Sequence, residues 1–258
     1  MPVAPLKHKL LAGGTAFGTF LFEFATPGIA RIVAEAGADF LLYDMEHTGW
    51  SVETIKMLLA TSRGTPLTTL VRIPATEYHF IARVLDMGAG GLMAPMMESA
   101  EQAKRLVQSA KYPPAGRRGA AFSIAHDDYT GGDIVAKIAA ANRDTLLIAQ
   151  IETAAGLANV EEIAAVDGID VLWIGQFDLS NSLGIPGQFS HAKFLDAVAR
   201  VLAACQRHNK IPGFMVGDVA WGQRLLEQGY RMIAYSGDCW ILQAALRDGL
   251  MSLRNHRY

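Results

Sequence analysis

Eight short apolar runs recur along the chain, and each is followed by a stretch whose apolar residues have helical spacing. The runs are Thr15–Phe22, Phe40–Met45, Leu67–Ile73, Gly91–Pro95, Leu146–Ile151, Val171–Ile174, Gly213–Val216 and Met232–Tyr235. They are apolar throughout rather than alternating, as strands covered on both faces are. The helical stretches are Gly28–Ala36, Val52–Thr61, Tyr78–Met87, Ser99–Ala110, Asn159–Ala165, His191–Arg207, Val219–Gln228 and Trp240–Leu253. Gly37, Gly64, Gly88 and Gly229 follow several of them, where glycine tolerates a left-handed cap. This rhythm predicts one α/β domain over residues 1–258, a parallel (β/α)8 TIM barrel. A doubly wound sheet is the competitor. Its glycine-rich fingerprint opens a helix after the first strand, and Gly13-Gly14-Thr15-Ala16-Phe17-Gly18 does not.

Two segments break the rhythm. Residues 111–132 (KYPPAGRRGAAFSIAHDDYTGG) are too long and too rich in Pro and Gly for a simple connection, and such inserts are often lids or subunit contacts. Residues 240–258 extend past the eighth run as a C-terminal helical extension.

Composition narrows the function classes. Of 258 residues, 51% are hydrophobic and 19% charged, so there is apolar surface enough for a core. The net charge is −2 and Arg117-Arg118 is the longest basic block, which argues against nucleic acid as a partner. No apolar stretch reaches bilayer-spanning length and no signal peptide is apparent, so a cytoplasmic protein is expected. Cys205 and Cys239 lie in amphipathic stretches and read as two buried thiols.

In a barrel of this kind chemistry sits where the strands end. Here the runs end in Asp44-Met45-Glu46-His47, Arg72, Gln150-Ile151-Glu152, Gly175-Gln176-Phe177-Asp178, Asp218 and Asp238. Asp218 reads as a helix cap. Glu152 and Asp178 end consecutive runs, which adjoin in a parallel barrel. Two such carboxylates repel unless one is protonated or a cation lies between them. Mg²⁺ or Mn²⁺, with Co²⁺ as a further candidate, fits that pair; two helix caps are the alternative. Arg72 needs an anion, either a substrate carboxylate or enolate or a structural partner such as Asp44. Gln150 shares a strand face with Glu152 and could bond a substrate or a metal-bound water. Asp44 and His47 form a candidate general-base pair, the carboxylate orienting the imidazole. The remaining histidines read as structural, with His126 in the insert the one to test. None of the eight lysines ends a strand, so a Schiff-base mechanism has no amine at the mouth. Trp50, Phe177, Phe214 and Val216 fit either a pocket wall or the core.

The set Tyr43-Asp44-Met45-Glu46-His47, Val71-Arg72, Tyr112-Pro113-Pro114-Ala115-Gly116-x-Arg118-Gly119, Gln150-Ile151-Glu152-Thr153 and Asp178-Leu179-Ser180 resembles the HpcH/HpaI family of metal-dependent, class II pyruvate aldolases. The likeness runs in order through nearly the whole chain. It implies a barrel of the phosphoenolpyruvate/pyruvate type whose last helix swaps between subunits of a homohexamer. It implies reversible cleavage of 4-hydroxy-2-oxo acids to pyruvate, or a hydroxypyruvate-like 2-oxo acid, plus an aldehyde. A divalent ion would be held by Glu152 and Asp178. Arg72 would hold the 2-oxo oxygen, His47 with Asp44 would handle the hydroxyl proton, and Gln150 would line the site. Backbone N–H groups of Gly175, Gln176, Phe177 and Asp178 would grip the carboxylate, and Asp86 would reach the site of an adjacent subunit. Phe177 departs from the family pattern, in which a small residue stands there. The competing functions are a citrate-lyase-like acyl-CoA lyase, an oxaloacetate decarboxylase and a non-catalytic metal-binding barrel.

Overall fold

In the computed structural model, which describes residues 6–255, all eight runs are parallel strands closed into a barrel in sequence order. They are β1 (Ala16–Leu21), β2 (Phe40–Asp44), β3 (Thr68–Arg72), β4 (Gly91–Ala94), β5 (Leu146–Ile151), β6 (Val171–Ile174), β7 (Ile211–Val216) and β8 (Met232–Gly237). β8 pairs back onto β1, with a register shift between Gly18 and Phe20.

Alternation along each strand sorts the apolar residues into two clusters. Phe20, Phe40, Leu42, Leu70, Ile148, Val171 and Trp173 fill the barrel interior. Leu41, Tyr43, Val71, Leu147, Ala149, Leu172 and Ile174 pack outward under the helices. This parity decides where the strand ends point. Asp44 continues the Phe40–Leu42 series, Arg72 continues Leu70, and Gln150 and Glu152 continue Ile148, so all four face inward. Phe214 and Val216 belong to the outer cluster and half-buried Trp50 packs against it, edge-on to Tyr43; Val216 also lines a cavity under the outer helices.

Twelve α-helices are present among the described residues: α1 (Leu6–Leu11), α2 (Ile29–Glu35), α3 (Val52–Ser62), α4 (Tyr78–Asp86), α5 (Ala100–Ala110), α6 (Ile134–Asp144), α7 (Ala154–Ala158), α8 (Val160–Ala164), α9 (Gln176–Ser182), α10 (Ala192–Arg207), α11 (Val219–Gln228) and α12 (Asp238–Asn255). Asp218 is a cap as expected, accepting from Trp221 N at 2.8 Å. Gly88 and Gly229 end α4 and α11 with φ of 100° and 108°, the left-handed region. α1, α6, α7 and α9 go beyond the sequence expectation. Leu6 and Leu10 of α1 join the interior cluster and close the amino-terminal end of the barrel.

The insert at 111–132 is not a lid on its own barrel, which corrects one expectation for it. It folds back along α4 and beneath the amino-terminal face. Arg118 Nη2 bonds Asp86 Oδ1 at 2.6 Å, Gly119 N donates to Tyr78 Oη at 2.8 Å, and the Arg63 guanidinium holds Ala125 O. The Arg118 guanidinium also lies over the Tyr112 ring. These anchors lie along α4 and at the end opposite the mouth. His126 meets Phe122 edge-on and bonds Ala121 O, and takes no part at the mouth. His256 lies outside the described residues.

Cys205 is buried, and burial pushes its thiol up to about 12; Cys239 is only half-buried, which corrects the reading of two buried thiols. Both are free. No helix among the described residues is long and apolar enough to cross a membrane.

Candidate active site

At the carboxyl ends of the strands, Arg72 ties β3 to β2. Its Nε donates to Asp44 Oδ1 at 2.6 Å and lies 3.2 Å from Glu46 Oε2. Its guanidinium rests over the Phe20 and Phe22 rings at 5.4 and 6.0 Å. Arg72 and Asp44 are both buried. The Asp44 carboxylate also accepts from the backbone N–H of Glu46 at 3.1 Å and of His47 at 2.9 Å. Asp44 therefore orients the arginine and the turn. The expected carboxylate–imidazole contact is not formed, because the turn's own N–H groups and Arg72 occupy the carboxylate. The His47 ring stands at the mouth, over half exposed, with Nε2 3.7 Å from Glu46 Oε2.

Glu46 is the site residue that sequence reasoning left out. Strand alternation could have found it, since it lies two residues beyond Asp44. Its Oε2 is buried without a hydrogen-bond donor. Burial raises its carboxyl, reinforced by Asp44 and Asp178 and opposed by Arg72 and His47.

Glu152 is buried across from this group. Its Oε1 accepts from Met96 N at 2.6 Å, and its Oε2 accepts from Gln150 Nε2. Met96 takes φ of 50°, an unusual conformation for a non-glycine residue, and so directs its N–H at Glu152. A Cβ at position 175 would collide with Glu152 Oε2 and Gln150 Nε2, so only glycine fits the first residue after β6. Burial raises the Glu152 carboxyl to about 7, aided by the charges on Glu46 and Asp178 and opposed by the Met96 N–H and Arg72. The Gln150 Oε1 is buried without a partner.

Asp178 and Phe177 stand in the first turn of α9, which begins without a side-chain cap after Gly175. Both line a cavity of about 370 Å³ whose polar end is formed by Arg72, Gln150, Gly175, Asp178 and His47. A larger space of about 1470 Å³ lies between α10, α11 and α12. Its lining carries Asp218, which caps α11, but none of Arg72, Gln150, Asp178 and His47, so the smaller cavity is the candidate site.

Among the described residues no three His, Cys, Asp or Glu side chains are arranged to hold an ion by themselves. Two carboxylates with open positions for water and substrate is nevertheless a usual manner of holding Mg²⁺ or Mn²⁺. Three carboxylates share this site, one with an undonated buried oxygen and one with its proton held to about 7. A divalent cation would relieve that crowding, so the residues present fit one. A reactive amine is absent from the mouth among the described residues. Lys7 and Lys111 are buried at the opposite end, Lys7 bonding Asp170 Oδ1 at 2.8 Å and both ammonium groups bonding Thr145 O.

Asp238, also at a strand end, is a structural anchor. Its carboxylate accepts from the backbone N–H of Phe22 (3.0 Å), Glu23 (2.9 Å), Phe24 (2.8 Å) and Cys239 (2.9 Å). Asp238→Ala leaves these donors without their acceptor and is expected to cost about 2–4 kcal/mol, read as a lower urea midpoint at unchanged m-value. A midpoint within experimental error of the parent would count against the anchor.

A parallel eight-stranded barrel with converging carboxylates, an arginine and a histidine at its mouth defines a barrel enzyme of anion and carbonyl chemistry. A family model described as HpcH/HpaI aldolase/citrate lyase matches residues 18–244, and the chain belongs to that family. It is 38% identical over 254 residues to a 4-hydroxy-2-oxovalerate aldolase of Novosphingobium aromaticivorans, covering 98% of this chain and 95% of that protein. It is 36% identical to a hydroxypyruvate/pyruvate aldolase of Paraburkholderia phytofirmans, covering 97% of this chain and 98% of that protein. The crystal structure of an HpcH/HpaI aldolase from Desulfitobacterium hafniense superposes with a TM-score of 0.94 at 35% identity, covering 98% of each chain. The protein is accordingly a carbon–carbon lyase of the aldolase type.

Proposed function

We propose that this aldolase cleaves 4-hydroxy-2-oxo acids reversibly to pyruvate, or a close 2-oxo acid, and an aldehyde, with a divalent cation as cofactor. The observation that carries the reading is the convergence of Arg72, Gln150, Asp178 and His47 on one cavity, with Asp44 bonded behind Arg72 and the Glu152 carboxylate bonded behind Gln150. Glu152 and Asp178 would hold the cation, which when bound supplies Lewis-acid polarisation of the 2-oxo group and offsets enolate charge.

The chain's own groups do the rest. Asp44 fixes Arg72 through Nε, leaving its terminal N–H groups to donate to the substrate's 2-oxo oxygen. That contact strengthens as the oxygen gains enolate charge. The free N–H groups in the first turn of α9 are suited to the substrate carboxylate. In cleavage His47 takes the C4 hydroxyl proton, the C3–C4 bond breaks, and its electron pair passes into the enolate while the aldehyde forms. A proton then added at C3 gives the 2-oxo acid, so atoms balance. Glu46 is the carboxylate beside the imidazole, its Oε2 3.7 Å from Nε2.

The deciding measurement is exchange of the pyruvate methyl protons with deuterated water, followed by NMR. Exchange is expected with Mg²⁺, or with Mn²⁺ removed before the spectrum, and is expected to stop in chelator. Exchange of equal rate in chelator would remove the metal from the mechanism, and a protein that binds metal without exchange would be a binding barrel.

The proposal extends to assembly and location. α12 leaves Leu242, Leu246, Leu250 and Leu253 exposed, and an apolar groove adjoins it along α10 and α11. A second copy's α12 suits that groove, in keeping with a helix-swapped homohexamer, and Asp86 would then face a neighbour's mouth. The free thiols suit a reducing compartment, and we place the enzyme in the cytoplasm.

A further inference from the structure

We infer that the outer half of the site cavity is a subsite for an acceptor aldehyde carrying an aryl or similarly flat apolar group, with Phe22 and Trp240 as its specificity-determining walls. The inference rests on the aldolase reading and deepens it by naming the chemical class of the second substrate.

An aromatic ladder climbs one side of the cavity. Trp173 lies at the base, buried in the barrel. Phe20 packs on it with ring centroids 5.8 Å apart. Phe22 stacks on Phe20 at 5.6 Å, the planes only 10° apart. Trp240 meets Phe22 at 5.0 Å and is 43% exposed at the rim. Arg72 sits over Phe20 and Phe22, so the foot of the ladder is at the polar end of the cavity. Cys239, Met215 and Phe177 line the same cavity.

The upper rungs are held in place. Asp238 bonds the backbone N–H of both Phe22 and Cys239, which fixes the β1–α2 loop against the start of α12. A Cβ on Gly237 would stand 2.8 Å from the Phe22 ring and 3.0 Å from the Trp240 ring, so glycine there lets the two rings meet. A wall prepared in this way binds a flat apolar group with little ordering cost.

Depth assigns the wall to the acceptor. The groups suited to a 2-oxo acid, Arg72 and Gln150, are buried at the inner end. The aldehyde enters second, from the mouth, so its substituent lies outward along the ladder. A polyhydroxylated acceptor would need hydroxyl-bonding side chains on this wall. Phe22, Met215 and Cys239 offer none of strength, Trp240 offers one indole N–H, and the Nε2 of Gln176, which also lines the cavity, already donates to Met215 O at 3.1 Å. Addition of the enolate carbon to the aldehyde carbon forms one bond, and the proton lost from the methyl group is matched by the one gained at the new hydroxyl.

The test is synthesis from pyruvate by the metal-loaded enzyme, comparing kcat/KM for benzaldehyde and glycolaldehyde. The parent is expected to favour benzaldehyde. The benzaldehyde-to-glycolaldehyde ratio is expected to fall at least tenfold, roughly, in Trp240→Ala and in Phe22→Leu, and to recover in Trp240→Phe. A parent that prefers glycolaldehyde overturns the inference whether or not any variant folds. Equal losses for both aldehydes in every variant overturn it too, as does a shift in pyruvate against 2-oxobutyrate as donor with the aldehyde ratio unmoved. Metal-dependent exchange of pyruvate protons in the parent separates the two levels. Exchange without aryl preference sinks this inference alone, and no exchange sinks the aldolase reading with it.

Discussion

Arg72→Ala is expected to lower kcat/KM for cleavage by about a thousandfold, in line with the loss of a principal donor to a developing oxyanion. It should also destabilise the fold. Arg72 and Asp44 form a buried pair at 2.6 Å, and removing one partner of such a pair costs about 3–5 kcal/mol because the other charge is left in a dry site. Glu46 loses its nearest cation at the same time. The two effects are separable. Assayed well below its lowered melting temperature, the variant is fully folded, and a purely structural role for Arg72 then predicts near-parent turnover. Arg72→Lys sharpens the comparison. An ammonium can restore part of the charge balance with Asp44, but it lacks the planar fork that bonds Asp44 through Nε and leaves further N–H groups for substrate. The lysine variant is expected to regain stability and to stay impaired in pyruvate proton exchange. Normal exchange by either variant would remove Arg72 from enolate stabilisation.

The inward placement of Asp44, Arg72, Gln150 and Glu152 was legible in the sequence because strand parity is strict. Once Phe40, Leu70 and Ile148 are inside, every second residue follows. The strands were legible because burial on both faces leaves unbroken apolar runs. Elements lacking that signal were missed. α6 contains no buried residue and exposes Ile134 and Val135, so its sequence carries no clean apolar stripe. α9 is a single short helix rich in Asp, Ser and Asn, residues that compete with the helix backbone, and its existence follows from the barrel's β6 connection. Pro212 obscured the start of β7, which begins at Ile211, two residues before the expected Gly213. The partner of His47 was misread for a local reason. A spacing of three residues brings Asp44 and His47 together, but the contact made is with the histidine N–H, and side-chain competition for backbone donors is not visible in residue types. The aromatic ladder was equally hidden, because Phe22 and Trp240 lie at opposite ends of the chain and meet only where β1 and β8 close the barrel.

Glu152→Gln is expected to abolish turnover and the stabilisation by Mg²⁺ or Mn²⁺, while leaving the metal-free protein at least as stable as the parent at pH 8. Burial among like charges raises the Glu152 carboxyl from its ordinary 4.5 to about 7. Between those values the folded protein keeps a proton that the unfolded chain has lost. The stabilising contribution is therefore fully present below pH 4.5 and is lost as pH rises through 7. The metal-free parent should show a melting temperature that declines across this window, by an amount worth on the order of a few kcal/mol. A neutral amide has no such titration, so the variant's profile should be flatter there. The two proteins then diverge on adding metal at pH 8. A cation that binds only the folded parent raises its melting temperature with concentration, by mass action, and should recover what ionisation of Glu152 had removed. The variant, with one anionic ligand gone, should respond weakly if at all, and Asp178→Asn should behave alike if the two carboxylates share one ion. Competition between proton and metal for one oxygen also predicts that apparent metal affinity in the parent climbs with pH up to about 7 and then levels. An unchanged metal-induced shift in Glu152→Gln would move the cation elsewhere in the molecule, whereas a lost shift with retained turnover would leave the barrel its chemistry without the ion.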